Sequence, residues 1–452
     1  MILRLTCKYR FAPKRPTCNT SYVQTVFGIG FETGENVIAE GAEVDYQPGR
    51  IILFSGPSGS GKSSLLRAAA EQVPGARWLD ESPTGDRALI DTLGDDVQAA
   101  AHLLSLCGLA EAFLMLRTPA ELSDGQRYRY AIARCIASGA DTGTPIARSR
   151  DWGSQTIVAD EWCAKLDRIT AKVVSHNARK IADRRGVGFL LATTHEDIIP
   201  DLDPDVIVWC RGGGVVEVER RGAPTAKNGD WGPRRPFRRP ISFLHELELT
   251  EGSRKDWPYF ARWHYRGHSL GFVHRVVLLW HGREPVGVCV VGPSALAGSA
   301  RSAAFGLRGL SRRERAKLIN GNFATVTRLV LDPRYRGAGI AARFLRRVAE
   351  TTPWPWIELI SEMANLVPFA EAAGFVRLGR GTDKFRRGGR ADVLSGSRRG
   401  GWYGSASRGS ETWRRFLRRV RFSRPAYYVF DNRQNCPGRE RTVARARRGA
   451  LP

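Results

Sequence analysis

Residues Gly56, Pro57, Ser58, Gly59, Ser60, Gly61, Lys62 and Ser63 form a glycine-rich turn. A short apolar run, Ile51–Ser55, precedes it, and a stretch with helical apolar spacing, Lys62–Gln72, follows. No other part of the chain constrains the fold as much, because strand, glycine turn and helix in that order belong to a parallel α/β sheet. Glycine at 56, 59 and 61 frees the main chain to aim successive N–H groups at one point. The spacing fits G-x-x-x-x-G-K-[ST], in which such a turn wraps phosphate, Lys62 reaches the outer phosphates and the Ser63 hydroxyl ligates Mg²⁺. Ser64 continues the same helical turn.

Four further segments fit that chemistry. Thr156–Glu161 reads as an apolar strand ending in two carboxylates; Asp160 suits the Mg²⁺ shell, and Glu161 suits polarising an attacking water. Leu122, Ser123, Asp124, Gly125 and Gln126 precede a helical stretch, Arg127–Ser138, whose N-terminus favours an anion. Leu166 and Asp167 come soon after the carboxylate pair, and His195 follows a strand that ends at Thr193. Taken together, residues 1–215 resemble the ATP-binding cassette (ABC) ATPases. Ser123, Gly125 and Gln126 match the L-S-G-G-Q signature, with Asp124 in place of one glycine. Asp167 matches the D-loop, and His195 the switch histidine at the γ-phosphate. The resemblance implies ATP and Mg²⁺ as cofactors and a head-to-tail homodimer in which each signature closes over the partner's ATP.

Two features depart from the transport members of that family. Lys62 and Ser123 are only 61 positions apart, and the interval offers just Gln72 and Gln98 for a Q-loop. A reduced segment here argues for a non-transport ATPase. Tyr22, Phe27 and Tyr46 are the aromatics available to stack on adenine.

At 452 residues, the chain is long enough for two or more domains. No apolar run is long enough to span a bilayer, and the first ten residues lack a signal-peptide core, so no membrane role is expected. The eight cysteines are scattered without a C-x-x-C pair, which argues against a zinc site and a disulfide framework and for a cytoplasmic location. Formal net charge is +25. Arginine-rich composition alone would spread such an excess evenly. Instead, residues 376–452 hold 21 Arg and Lys against 5 acids. That concentration points to a polyanion partner, nucleic acid, held through the Arg-rich C-terminal region.

Val215–Arg239 turns polar and rich in Gly and Pro, a linker signature, so the linker is set at 216–240. A second domain is expected over 241–378, then an Arg-rich extension over 379–452 with a terminal strand at Ala426–Phe430. Val276–Leu279 and Pro285–Val291 read as a hairpin joined by His281–Arg283. Val326–Leu331 reads as a strand, Ile340–Glu350 as a helix and Trp356–Ser361 as another strand. The turn between Leu331 and Ile340 carries Arg334, Arg336, Gly337, Ala338 and Gly339, an anion-cradling arrangement without the Lys-Ser of the first turn. The segment resembles motif A of GNAT acetyltransferases, [QR]-x-x-G-x-[GA]. That resemblance implies acetyl-CoA, or another acyl-CoA, bound by Leu329, Leu331, Arg334, Arg336, Gly337, Ala338, Gly339, Ile340 and Ala341. The fold class expected is therefore α/β: a P-loop ABC ATPase domain followed by an α+β GNAT-like domain and a basic C-terminal extension.

Before the hairpin lie Trp263, His264, Tyr265, Arg266 and His268, aromatics interleaved with cations that suit base stacking and phosphate contact. Plain core packing at a helix-to-strand corner explains them equally. The segment resembles Mom-type DNA-modification acyltransferases. Glu358, with Ser361, Glu362 and Tyr265, is a candidate acid or base for transfer, and Glu358 reads equally as a solvent-facing strand residue. Three functions stay open: acyl transfer to nucleic acid, a remodelling ATPase with a non-catalytic second module, and acyl transfer to a protein or small amine.

Overall fold

Leu3 and Leu5 are buried between exposed neighbours, the alternation of a ribbon covering a core on one side. The computed structural model describes residues 1–11, 15–31, 34–82, 85–138, 155–221, 239–265, 269–380 and 425–436. It divides the chain into two compact units, Met1–Ser242 and Phe243–Pro452.

In the first unit, β1 (Ile2–Phe11) pairs antiparallel with β2 (Gly34–Asp45), and α1 (Cys18–Phe27) lies in their connection. Next come β3 (Ile51–Ser55), α2 (Lys62–Gln72), β4 (Ala76–Trp78), α3 (Val97–Leu106) and α4 (Asp124–Ala137). The unit continues through β5 (Thr156–Ala159), α5 (Arg168–Arg185), β6 (Gly188–Thr193), α6 (Ile199–Leu202), β7 (Val206–Gly212) and β8 (Val215–Arg220). The sheet order is β4-β5-β6-β3-β7-β8, parallel except for β8. β3, β5 and β6 are buried at every residue, as a parallel sheet covered on both faces requires. Ile52, Phe54, Leu65, Leu66, Val158 and Leu190 share one core with Leu3 and Leu5 of the ribbon.

Val215–Arg220, read above as the start of the linker, is strand β8, paired antiparallel to β7. Its alternation of exposed and half-buried residues is that of an edge strand, which composition alone disguises. Residues 222–238 of the expected linker lie outside the described residues.

The second unit contains β9 (Leu247–Glu251), α7 (Trp257–Ala261), β10 (Arg275–His281), β11 (Glu284–Pro293), α8 (Ser299–Ala304), α9 (Arg312–Asn322) and β12 (Phe323–Leu331). α10 (Ile340–Glu350), β13 (Trp356–Ser361), α11 (Phe369–Ala372), β14 (Val376–Arg380) and β15 (Ala426–Asp431) follow. The sheet order is β14-β15-β13-β12-β11-β10-β9. The hairpin, the strand before the glycine turn, α10 and β13 stand where the sequence places them; the hairpin loop itself narrows to Gly282 and Arg283. β15 slots between β13 and β14, antiparallel to both. Among the described strands of this sheet, only β12 and β13 pair in parallel, and their register ends at Val326↔Leu359 although both strands continue. A bulge at Thr327 shifts β12 against β11 at the same level. Beyond it, β12 and β13 are no longer hydrogen-bonded to each other. Of the Arg-rich extension, residues 381–424 and 437–452 lie outside the described residues.

Candidate active site

In the first unit, β4, β5, β6 and β3 run parallel, so their C-terminal ends open on one side of the sheet. β3 delivers the glycine turn there, β6 delivers His195 and β5 delivers Asp160 and Glu161. A Cβ on Gly56 would run into the Cys210 carbonyl oxygen, and one on Gly61 would run into the Ile38 side chain. Gly61 caps α2 at φ 88°, ψ 8°. Among the described residues, the amides of Ser58, Gly59 and Gly61 donate to no other main-chain group, whereas Ser60 N–H bonds Pro57 O at 3.3 Å. Lys62 is buried, and its Nζ donates to Pro57 O at 2.6 Å. The Ser60 hydroxyl is buried without a partner. Open amides, an ammonium folded onto its own turn and an orphaned hydroxyl fit a phosphate chain.

Asp160 Oδ1 accepts the Glu161 amide at 3.0 Å, and Glu161 is exposed at φ 52°, a conformation rarely adopted by a non-glycine residue. Cys163 is also left-handed, at φ 58°. Between them Trp162 is fully buried, with its amide on Ala192 O at 2.7 Å and its indole N–H on Ser175 Oγ at 3.0 Å. Trp162 thus anchors the two carboxylates to β6. Thr193 Oγ1 accepts the His195 amide at 3.1 Å and donates to Trp162 O at 3.3 Å, tying the histidine to the same anchor.

Ser123 is the N-cap of α4 in a reciprocal capping box with Gln126, so the helix begins at Asp124, three residues before the expected start. Gly125 faces Leu166, whose side chain would lie 3.1 Å from an added Cβ. Asp167 caps α5 through the Thr170 amide at 3.0 Å. The Tyr128 hydroxyl accepts the Cys163 amide at 3.0 Å, a second link between α4 and the loop after β5. Burial pushes the Cys163 thiol up to about 12 and raises Tyr128 well above its usual range.

The structure adds one loop that the sequence reading missed. β4 parallels β5, and Leu79 N–H bonds Val158 O at 2.8 Å, so Asp80 and Glu81 emerge beside Asp160. Both Glu81 carboxylate oxygens accept from Lys165 Nζ at 2.9 Å. Hydrogen bonds from Ser82 hold Asp80 below the usual carboxylate range. A three-residue strand gives too little pattern to be legible in sequence. Gln72, by contrast, bonds both the amide and carbonyl of Arg4 on β1, and Gln98 is exposed at the start of α3. Tyr46 is buried with its hydroxyl 2.6 Å from Thr156 Oγ1, which removes it as an adenine platform; Tyr22 and Phe27 are exposed on α1.

No known family's sequence profile matches the chain. The lipoprotein-releasing ATP-binding protein LolD of Maricaulis maris is 28% identical, over 38% of this chain and 86% of its own length. The cytochrome c biogenesis ATP-binding export protein CcmA of Sphingopyxis alaskensis is 31% identical, over 39% of this chain and 92% of its own length. This chain belongs to the ATP-binding cassette ATPases. Among solved structures, a dimeric ATP-binding cassette bound to ADP and Pi is 16% identical, covering 49% of this chain and 100% of that one at a TM-score of 0.35. The cassette occupies roughly the first half of the chain, and the relatives it matches are named as ATP-binding proteins.

In the second unit of this ABC ATPase, the glycine turn follows β12. Gly339 caps α10 at φ 86°, ψ 3°, and Gly337 is also left-handed at φ 96°. Among the described residues, the amides of Gly337, Ala338 and Gly339 donate to no main-chain carbonyl. Ile340 is buried and Ala341 half-buried at the first turn of α10. Arg334 bonds Asp332 (Nη2–Oδ2 2.7 Å) and Glu284, and the hydrogen bonds to Asp332 raise its guanidinium further above its usual range. Arg336 crosses to Leu331 O at 2.8 Å and approaches Trp263 O at 3.5 Å. The turn and the aromatic segment are therefore adjacent. Leu329 is half-buried and Leu331 buried at the end of β12. His264 stacks on Tyr265 with centroids 5.3 Å apart, and Tyr265 is exposed. Arg266 and His268 lie outside the described residues.

Glu358 is neither solvent-facing nor at an open cleft. It is 1% exposed, and its carboxylate lies 2.9 Å from Arg301 Nε. It accepts from Tyr427 OH at 2.5 Å and from Thr325 Oγ1 at 3.1 Å. Burial, then the neighbouring Glu358 charge, pushes the Tyr427 hydroxyl far above its usual range. Alternation does put Glu358 on one face of β13, but the α8–α9 segment covers that face. Ser361 engages its Oγ with the Ala364 amide at 3.1 Å.

Proposed function

We propose that this ABC ATPase is a non-transport enzyme whose second unit is a GNAT-like acyltransferase acting on nucleic acid, with acetyl-CoA or another acyl-CoA as donor. The observation that carries the reading is the parting of β12 and β13 after Val326↔Leu359, with three open amides at Gly337–Gly339 where β12 ends. Parted strands leave main-chain groups available to an extended ligand, and the amides suit its pyrophosphate. Trp263–Tyr265 border the same turn, where a nucleobase would present its amine. The acyl-CoA would supply an activated thioester. Tyr265, exposed beside the turn, is the group best placed to hold the acceptor's proton.

In the cassette, Lys62, Ser63 and Asp160 would hold the nucleotide and Mg²⁺, while Glu161 orients water. A head-to-tail homodimer would bring the partner's Ser123–Gln126 segment over that nucleotide, and the Arg-rich extension would retain the polyanion.

Calorimetry with acetyl-CoA tests the donor: binding lost on Gly337→Val/Gly339→Val supports it, and no binding to the unaltered protein rejects it. Mass spectrometry of nucleosides from expressing cells tests the acceptor. A second reading, a remodelling ATPase with a non-catalytic module, is favoured by the enclosure of Glu358, and absence of both acetyl-CoA binding and nucleoside change would select it.

A further inference from the structure

α9 carries Arg312, Arg313 and Lys317 on its exposed side, and exposed Arg308 precedes it. Among the described residues, none of the four has a carboxylate within ion-pair distance. Residues 308–322 hold five cations and one acid, and that acid, Glu314, is committed to capping Ser311, whose amide it accepts at 2.9 Å. Neighbouring like charges on a helix repel, and an anionic partner removes the repulsion. The stripe is held rigidly from behind. Ile319 packs in a core with Leu307, Phe323, Trp356 and Tyr427, and Trp354 Nε1 bonds Asn320 O at 3.3 Å.

That core lies on the same sheet face as α7. Register across the Thr327 bulge pairs Val290 with Arg328 and Gly292 with Thr325, so Thr325 and Phe323 share a face with Val288, Val290 and Val330. Those three valines pack against Trp257 and Phe260 of the α7 segment. Just beyond α7, the Arg262 guanidinium sits 4.3 Å from the ring centroids of both Tyr259 and Trp263, with Tyr259 and Arg262 exposed. A cation flanked by two rings is a surface on which a planar base stacks.

We propose that this face binds single-stranded nucleic acid, the α9 cations holding its phosphates and the Tyr259–Arg262–Trp263 stack taking an unstacked base. The inference rests on the nucleic-acid reading above and gives it a location in the folded unit, separate from the Arg-rich extension. Phosphate cations and a π surface on one face distinguish a polynucleotide from an acidic protein, which needs no stacking platform.

The test is fluorescence anisotropy of the full chain with a labelled single strand of about 20 nucleotides, over a range of salt. R312E/R313E/K317E is expected to weaken binding at least tenfold and to lower the slope of log affinity against log salt by about 2. Tyr259→Ala is expected to weaken it about fivefold with the slope unchanged. An unchanged slope in the triple variant overturns the α9 contact, as it would if the extension did all the binding. Equal affinity for the matching duplex, together with no effect of Tyr259→Ala, overturns the stacking. ATP turnover and acetyl-CoA binding are measured in the same variants. A protein that shows both strand-binding effects yet binds no acetyl-CoA keeps this inference and loses the transfer reading.

Discussion

Gly61 and Gly339 cap their helices in nearly the same left-handed conformation (φ 88° and 86°), yet only Gly61 has a side chain, Ile38, pressed against its Cα. A Cβ on Gly339 would meet nothing within 4 Å. Alanine at 339 therefore brings only the left-handed strain, about 1–2 kcal/mol. Alanine at 61 adds a collision. Gly61→Ala should abolish the upward shift in melting temperature produced by ATP, and Gly61→Ala/Ile38→Ala should restore part of it. Equal tolerance at the two positions would contradict this geometry.

Tyr128→Phe removes the acceptor of the Cys163 amide from a fully buried site. The orphaned N–H should lower stability by about 1–3 kcal/mol. Because Cys163 lies between Glu161 and Asp167, ATP turnover should fall by more than ATP affinity. Denaturant unfolding and steady-state kinetics measure the two, and an unaltered turnover would show that the link is purely structural.

Glu161→Gln keeps the shape of the side chain and removes its charge. Turnover should drop about 100-fold or more while ATP still binds. Filter binding of labelled ATP beside a phosphate-release assay decides the point.

Glu358→Ala leaves Arg301 buried without its counter-charge and should destabilise the second unit by about 3–5 kcal/mol. Replacing both partners by apolar residues, Arg301→Met/Glu358→Leu, should recover most of that loss. If acyl transfer is detected and the double variant retains it, Glu358 is a structural ion rather than a participant in the chemistry.

Thiol chemistry offers a simple check on burial. Cys18 is exposed, whereas burial pushes Cys163, Cys107 and Cys289 each up to about 12. At pH 8 those three are almost wholly protonated as well as enclosed, so native-state alkylation should mark Cys18 first. Rapid labelling of Cys163 would mean that the loop after β5 opens.

Sequence was most informative where local pattern and local structure coincide. Lys62–Gln72, Ile340–Glu350 and Trp356–Ser361 have the bounds expected of them, because helical spacing and unbroken apolar runs are set by neighbours in the chain. The turn at Gly56–Ser63 was legible for the same reason. Partners distant in sequence were not. Nothing in Trp162 announces that it ties the carboxylates to Ala192, and nothing in Glu358 announces Arg301 or Tyr427. Tyr46 looks like any loop aromatic until its hydroxyl meets Thr156. The β8 edge was hidden by polar residues that an edge strand tolerates on its open side.

β15 lies between β13 and β14, hydrogen-bonded along both of its edges, although residues 381–424 separate it in sequence from β14. Peptide continuity across that interval is not what keeps the three strands together. A chain nicked anywhere within it would leave two fragments that remain zipped to each other, so a single backbone break there would be invisible to size-exclusion chromatography and plain on a denaturing gel.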